Sequence, residues 1–445
     1  MSERRKVLEL FEQQKEYTDK KVSEGIEKYR KGYACITVTD KNGDAVPDAK
    51  IKINQKSHEF KFGANMFLLD ELESDQKNEQ YKKYLADTFN MATLPFYWDA
   101  TEPQRDKTRY GKDDGKMYRR PNTDLCIEFC EKHGIEPREH GLAYDAFFPK
   151  WLYEASVEEI KERLEKRYKE ISERYADKIP TIEVTNEMSW GYCRTKFYDE
   201  PEFVEWCFKK AEEYFPNNEL VINEITPLSW NDNCRATDKY YSYIEANMLK
   251  GARIDAIGMQ YHMFYKKEDE YEKTRPYYSP EMLYKHMDLY ANLKKPLQIT
   301  EVTVPAYSWE KEDEEIQAEI IEKLYSIWFS HPSVEQIIYW NLVDGYAHVW
   351  DPNLEKIKAS QGDMTLGENY YYGGLIRFDM TPKPAYYTIK NLIEKVWHTK
   401  EELISNEQGK AEFKGFYGEY EVNINGKEYT LNLSKNGNNN IVIEV

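Results

Sequence analysis

Between about residues 60 and 400, short apolar or β-branched runs alternate with longer charged stretches in which the apolar positions recur at helical spacing. Eight such runs stand out: KFGANMF near 64, NMATLPFY near 94, IEPREHGLAY near 140, PTIEVTNE near 184, LVINEI near 222, IDAIGMQYH near 258, PLQITEV near 299 and QIIYWNLVD near 340. The segments between them, SVEEIKERLEKRYKEISERY and EDEEIQAEIIEKLYSIWFSH among them, have the period and length of crossover helices joining parallel strands. Eight parallel strands with intervening helices close into a ring. The pattern therefore predicts an α/β chain with a (β/α)8 TIM barrel over residues 60–400.

The ends of the chain read differently. Residues 1–31 carry Val7, Leu8, Leu10 and Phe11, then Ile26 and Tyr29, among helix formers, which predicts one or two amphipathic helices. Over residues 32–59, two alternating runs flank a Lys-Asn-Gly-Asp turn and predict a β-hairpin. Residues 401–445 repeat that style, with Asn425-Gly426 and Asn436-Gly437 as turns. Short hairpins are marginal alone, so strands from both termini are expected to combine into one small accessory β module.

Composition narrows the partners. With 445 residues, 40% of them hydrophobic, the chain can bury a large core. A net charge of -18 disfavours nucleic acid and anionic membrane, and suits a neutral polysaccharide or oligosaccharide. The 37 Tyr and 10 Trp supply apolar faces with a polar edge, suited to stacking on sugar rings, although such residues also fill cores. Cys35, Cys126, Cys130, Cys193, Cys207 and Cys234 lack paired metal-ligand spacing and read as reduced thiols. The charged start MSERRKVLELFEQQKEYTDKK has no signal-like apolar run, so the expectation is a cytoplasmic monomer, or a secreted one if a leader was removed.

Chemistry-bearing residues fall where a barrel enzyme uses them, at or just after a strand's apolar run: His140, Glu187, Glu224, His262, Glu301 and Asp344. Glu187 ends the fourth barrel strand and Glu301 the seventh, on opposite walls of the mouth. Cleaving a glycosidic bond needs two facing carboxyl groups, one protonated to release the leaving oxygen and one ionised. Asn186, next to Glu187, adds an amide able to bond a sugar hydroxyl. No metal or organic cofactor is implied.

The quoted residues resemble glycoside hydrolase family 10, the xylanase family among retaining (β/α)8 enzymes, from about Ile26 to about Ile393. FNMATLPFYWDATEPQ is similar to its segment with a Trp before an ATEP-like run, and PREHGLAYDAFFPKWL to its third-strand segment. IEVTNE and LQITE are similar to its two catalytic strands, GMQYH to its Gln-x-His strand, and IRFDMTPKPAYYTI to its closing segment. The stretch from IEKYRKG to HEFKFG resembles a lead-in found in many members.

This resemblance implies a retaining hydrolase of a β-linked plant polysaccharide, xylan or its oligosaccharides, with Glu187 as acid/base and Glu301 as nucleophile. It also implies that Asn186, His140, Gln260 and His262 line the subsite of the cleaved sugar, with Trp340 as its aromatic floor. Tyr97 and Tyr144 stand at substrate-binding positions but depart in kind. The family's polar Glu, Asn and Lys before Trp98 fall on Thr93, Leu94 and Tyr97, in a segment about two residues shorter. Its Trp, His and Gln after the third strand fall on Tyr144, Asp145 and Phe147, and its Asp two residues after the nucleophile on Thr303. The competing readings are structural: salt-bridged glutamates, satisfied core histidines and a packed Trp340. Functional alternatives are a related β-glycosidase with another or a substituted glycan, and a carbohydrate-binding protein without turnover.

Overall fold

The computed structural model describes residues 3–189, 193–231, 233–350 and 354–445, with backbone alone at 354 and 355. Eight strands form a closed parallel barrel. They are β3 (Lys61–Asn65), β4 (Met91–Pro95), β5 (Glu136–His140), β6 (Thr181–Asn186), β7 (Glu219–Glu224), β8 (Ala256–His262), β9 (Leu297–Thr303) and β10 (Val334–Tyr339). They follow chain order around the ring, and β10 closes on β3 through the register Gln336↔Lys61 to Tyr339↔Ala64. All eight apolar runs read from the sequence are these strands. They are nearly continuous in burial because helices cover the outer face while side chains fill the inside.

A helix follows each strand, from Asp75–Ala86 after β3 to Pro384–Asn391 after β10. Helix Val157–Tyr175 starts where the Ser156 hydroxyl accepts from the Glu159 amide at 3.2 Å, and Ile160, Leu164, Tyr168 and Ile171 form its buried stripe. The same helix braces the mouth of the barrel. Its buried Arg167 donates to the Thr101 hydroxyl (2.6 Å), the Leu142 carbonyl (3.1 Å) and the Phe96 carbonyl, fixing the loops after β4 and β5.

The N-terminal stretch forms a 3-10 turn, Arg4–Leu8, and helices Glu9–Gln13 and Lys15–Tyr29. Val7, Leu8 and Phe11 are buried in the same core as the barrel helices. Arg4 forms buried ion pairs with Glu270 and Asp313, both at 2.9 Å, which tie this stretch to the barrel wall.

The remaining strands are β1 (Lys31–Thr39), β2 (Lys50–His58), β11 (Lys400–Ile404), β12 (Lys410–Phe416), β13 (Gly418–Ile424), β14 (Lys427–Leu433) and β15 (Asn440–Glu444). They build two sheets, β12-β1-β15 and β11-β2-β13-β14, so strands from both termini do combine. Ala34, Ile36, Val38, Ile51, Ile53, Phe413, Tyr420, Val422 and Leu431 lie in one shared core. The predicted hairpin over residues 32–59 is a correction. Its turn forms, with the Asp40 amide donating to the Asp44 carbonyl at 2.9 Å, yet β1 and β2 enter different sheets. Each strand has one apolar face, and opposed sheets bury both faces where a lone hairpin would bury neither. Asn425-Gly426 does close the β13–β14 hairpin, both residues at positive φ (52° and 87°) as a tight turn requires. The Asn436-Gly437 turn instead leads β15 across to β1.

Candidate active site

The C-terminal strand ends bring Glu187 and Glu301 to one mouth. Glu187 stands one residue beyond β6 with φ 54°, a left-handed conformation that costs a non-glycine residue on the order of 1 kcal/mol. Its backbone N–H is held by the Asn223 carbonyl at 3.2 Å. The carboxylate accepts from the Tyr144 hydroxyl at Oε2 (2.6 Å) and from Gln260 Nε2 at Oε1 (3.0 Å). Gln260 also donates to Asn186 Oδ1 at 3.2 Å, so one side chain orients both residues at the end of β6.

Glu301 lies deeper, 3% exposed. Asn223 Nδ2 donates to its Oε1 and His262 Nε2 faces its Oε2, both at 3.0 Å. Burial pushes its carboxyl up to about 8, and His140 opposes that shift while Glu183 and Glu187 reinforce it. Asn223 is itself fixed, since the Thr300 hydroxyl donates to its Oδ1 at 2.8 Å. Gly258 leaves the room for it: a Cβ at 258 would stand 2.5 Å from that oxygen.

His262 bonds Thr303 Oγ1 through Nδ1 at 2.9 Å. Glu224 is elsewhere, accepting from the Ile225 and Ser189 amides at 2.9 and 3.1 Å. Burial lowers the His262 pKa to about 4, so the ring is neutral near pH 7. When Glu301 is ionised it can only accept, so Nε2 carries the proton and Nδ1 takes the Thr303 hydroxyl. Thr303→Asp should make the imidazole more basic, and a charged ring would favour the Glu301 carboxylate. The acidic limb of the kcat/KM profile is then expected to move down by about 1 pH unit. An unchanged limb would remove this contact from any part in setting the ionisation of Glu301.

His140 is 1% exposed, and both ring nitrogens are engaged. Nδ1 meets Glu183 Oε1 at 2.6 Å, and Arg138 pairs with the other Glu183 oxygen at 2.5 Å. Burial opposes both charges, yet the pairing wins: the His140 pKa rises and the Glu183 pKa falls. His140 Nε2 is in hydrogen-bond contact with the Tyr97 hydroxyl at 3.0 Å, which links the ion-paired ring to the loop after β4. Trp340 lies edge-on to both His140 (5.3 Å, 77°) and His262 (5.9 Å, 71°), spanning the mouth. Among the described residues, His140, Glu183 and Glu301 are the one group of metal-ligating side chains that converge. The bonds to Arg138, Tyr97 and one another already occupy the His140 and Glu183 donor atoms, so the set fits an ion-paired support better than a metal centre.

Residues 54–392 match the family profile described as Glycosyl hydrolase family 10. The chain belongs to this family. Along 426 residues it is 26% identical to the anti-sigma-I factor RsgI6 of Acetivibrio thermocellus, covering 93% of this chain and 48% of that one. It is also 26% identical over 333 residues to endo-1,4-beta-xylanase B of Thermotoga neapolitana, covering 71% and 84%. Among solved structures, xylanase 10B of Thermotoga petrophila in complex with xylobiose superposes with a TM-score of 0.58 at 22% identity, covering 76% of this chain and 95% of that one. The chain thus spans about half the length of the anti-sigma-I factor.

Three of the departures of this family 10 chain from the pattern, Tyr97, Tyr144 and Phe147, gather on one wall. Tyr97 stacks on Phe147 (4.2 Å between centroids, 28°), and Tyr144 packs edge-on to Phe147 at 5.1 Å. Phe67, Tyr97, Ala100, Tyr144 and Trp340 form an apolar cluster separate from the main core. Thr93 and Leu94 do not join this wall: both are fully buried, and Leu94 packs in the main core. Asp145 pins the loop after β6, accepting from the Thr195 amide (3.1 Å) and hydroxyl (2.6 Å). Asp344 pairs with buried Lys383 at 2.6 Å, bracing the loops after β10. Sequence reasoning does not single out Glu183, Arg138 or Asn223. The available signal was parity for Arg138, which lies two residues before His140 on the same face of β5; the irregular register of β6 after Glu183 hides the same relation there.

Proposed function

We propose that the protein is a retaining glycoside hydrolase of β-linked plant polysaccharide, xylan or xylan-derived chains, working by double displacement. The observation that carries this is the support given to the two carboxyl groups. Gln260 is the register neighbour of Glu301 and at the same time donates to Glu187, so one amide side chain bridges from the Glu301 strand pair to the opposite acid. That closeness suits the separation of about 5 to 5.5 Å of retaining enzymes, rather than the wider gap that admits a water.

In the first step an oxygen of ionised Glu301 attacks the anomeric carbon, the glycosidic C–O bond breaks, and the proton on Glu187 passes to the departing oxygen. In the second, Glu187 takes a proton from water, the water oxygen attacks the same carbon, and the bond to Glu301 breaks. Asn223 and His262 orient the nucleophile, and Gln260 and Tyr144 the acid/base. Asn186 offers its amide N–H to a sugar hydroxyl, with Trp340 beneath the ring. The test is hydrolysis of xylo-oligosaccharides followed by NMR: the β-anomer should appear first, and α-anomer as first product would overturn the mechanism.

A second reading has its own support. The similarity to the anti-sigma-I factor extends over 93% of this chain, against 71% for the Thermotoga neapolitana xylanase, so it takes in the accessory module as well. That relative is named for regulation and not for hydrolysis, so a carbohydrate-binding protein without turnover is the reading set beside the hydrolase. Release of reducing ends from a polysaccharide panel separates the two.

A further inference from the structure

The Tyr97 wall carries two guanidinium groups that form no ion pair with a carboxylate among the described residues. Arg120 lies over the Tyr97 ring at 4.0 Å, with Phe147 and Phe67 at 5.5 and 5.6 Å. Its hydrogen bond runs from Nη1 to the Arg119 carbonyl at 2.9 Å, which leaves Nε and Nη2 without a partner among the described residues. Arg119 is 6% exposed; its Nη1 donates to the Tyr346 carbonyl, and its buried Nε has no acceptor among the described residues. The relation of Arg120 to Asp99 is Coulombic attraction alone. In a chain with 80 acidic residues against 62 basic ones, two adjacent arginines on the Tyr97 wall without an ion pair to a described carboxylate stand out from the general charge pattern. Their joint field is felt by His348, whose pKa is driven down to about 3 by burial and then by both arginines.

The ligand chemistry follows from the donors. A guanidinium fork matches a planar carboxylate with two parallel hydrogen bonds, and its stacked aromatic neighbours hold the fork in place. Trp350 is 64% exposed and edge-on to His348 at 6.0 Å, which in turn packs edge-on to Phe147 at 6.5 Å, and an exposed indole face suits a pyranose ring. Elsewhere the net charge of -18 repels an anionic glycan, so acceptance of one requires a local cationic contact. We propose that Arg120, with Arg119 behind it, binds the carboxylate of a uronic acid substituent on the glycan, making this wall a specificity site for acidic side chains. This rests on the hydrolase reading of the same cleft.

The test compares uronate-decorated xylo-oligosaccharides with the same compounds after reduction of the carboxyl to an alcohol. The wild-type kcat/KM should favour the acid form by about 10-fold or more, and the preference should shrink with added salt. Arg120→Gln should remove most of it while Arg120→Lys retains part, because the charge survives without the fork. Equal rates on acid and reduced substrates, or a preference unchanged in Arg120→Gln, would overturn the site. Failure to turn over any of the substrates would instead count against the hydrolase reading. In that case calorimetric binding of the two forms to the wild-type protein decides: tenfold tighter binding of the acid form supports the site, and equal binding overturns it.

Discussion

Replacing Glu301 with alanine should lower hydrolysis by about 10⁵-fold or more, on natural and activated glycosides alike, because no other group can form the covalent intermediate. Other acids nearby are committed: Glu183 to Arg138 and His140, Glu224 to two backbone amides. The loss should therefore appear in kcat with every leaving group. Glu301→Gln adds a readout in stability. The wild-type carboxyl is pushed up to about 8 in the folded chain, above its ordinary value of 4.5. Between those two values the folded state binds more protons than the unfolded state, so stability falls as pH rises and the full penalty is present above the folded pKa. A neutral amide of the same shape removes the penalty. The variant should melt higher than wild type at pH 9 and close to it at pH 4, measured by calorimetry. A variant that retained wild-type turnover would place the nucleophile elsewhere. One that melted lower at pH 9 would show that Asn223 and His262 hold the carboxylate more favourably than burial disfavours it.

The barrel was legible because its strands are buried on both faces and its helices are not, a contrast that survives in hydrophobic pattern alone. The accessory module was legible as strands and illegible as pairings. The run ACITVT marks Ala34, Ile36 and Val38 as one face, but nothing local says whether that face meets β2 beside it or a sheet opposite. Strands more than 350 residues away decide it, as β1 takes β12 and β15 for neighbours. The site divides in the same way. Glu187, Glu301, Gln260 and His262 sit in strand-end motifs, while the Glu183–His140–Tyr97 chain is a relation among β5, β6 and the loop after β4, visible only once the ring is closed. A polar residue absent from a motif also need not leave a hole in the cleft: Leu94 turns to the core, and the wall is made by Tyr97, Tyr144 and Phe147.

Glu187→Ala should separate the two proton-dependent steps. On xylo-oligosaccharides, whose departing alkoxide needs a proton, the loss should be about 10²- to 10⁴-fold. An aryl glycoside with a good leaving group departs unassisted, so glycosylation of Glu301 should stay near wild type and a burst of phenol should precede slow deglycosylation, because the base that activates water is gone. Tyr144 sharpens the assignment. Its hydroxyl donates to Glu187 at 2.6 Å, and the residue is 9% exposed. Tyr144→Phe should therefore cost activity in wild type and add little on top of Glu187→Ala, the non-additive behaviour of two residues acting through one contact. Additive losses would place Tyr144 directly on the sugar. An equal loss on natural and activated substrates in Glu187→Ala, with no burst, would mean that Glu187 does not supply the proton, and the acid would have to be sought on another strand end.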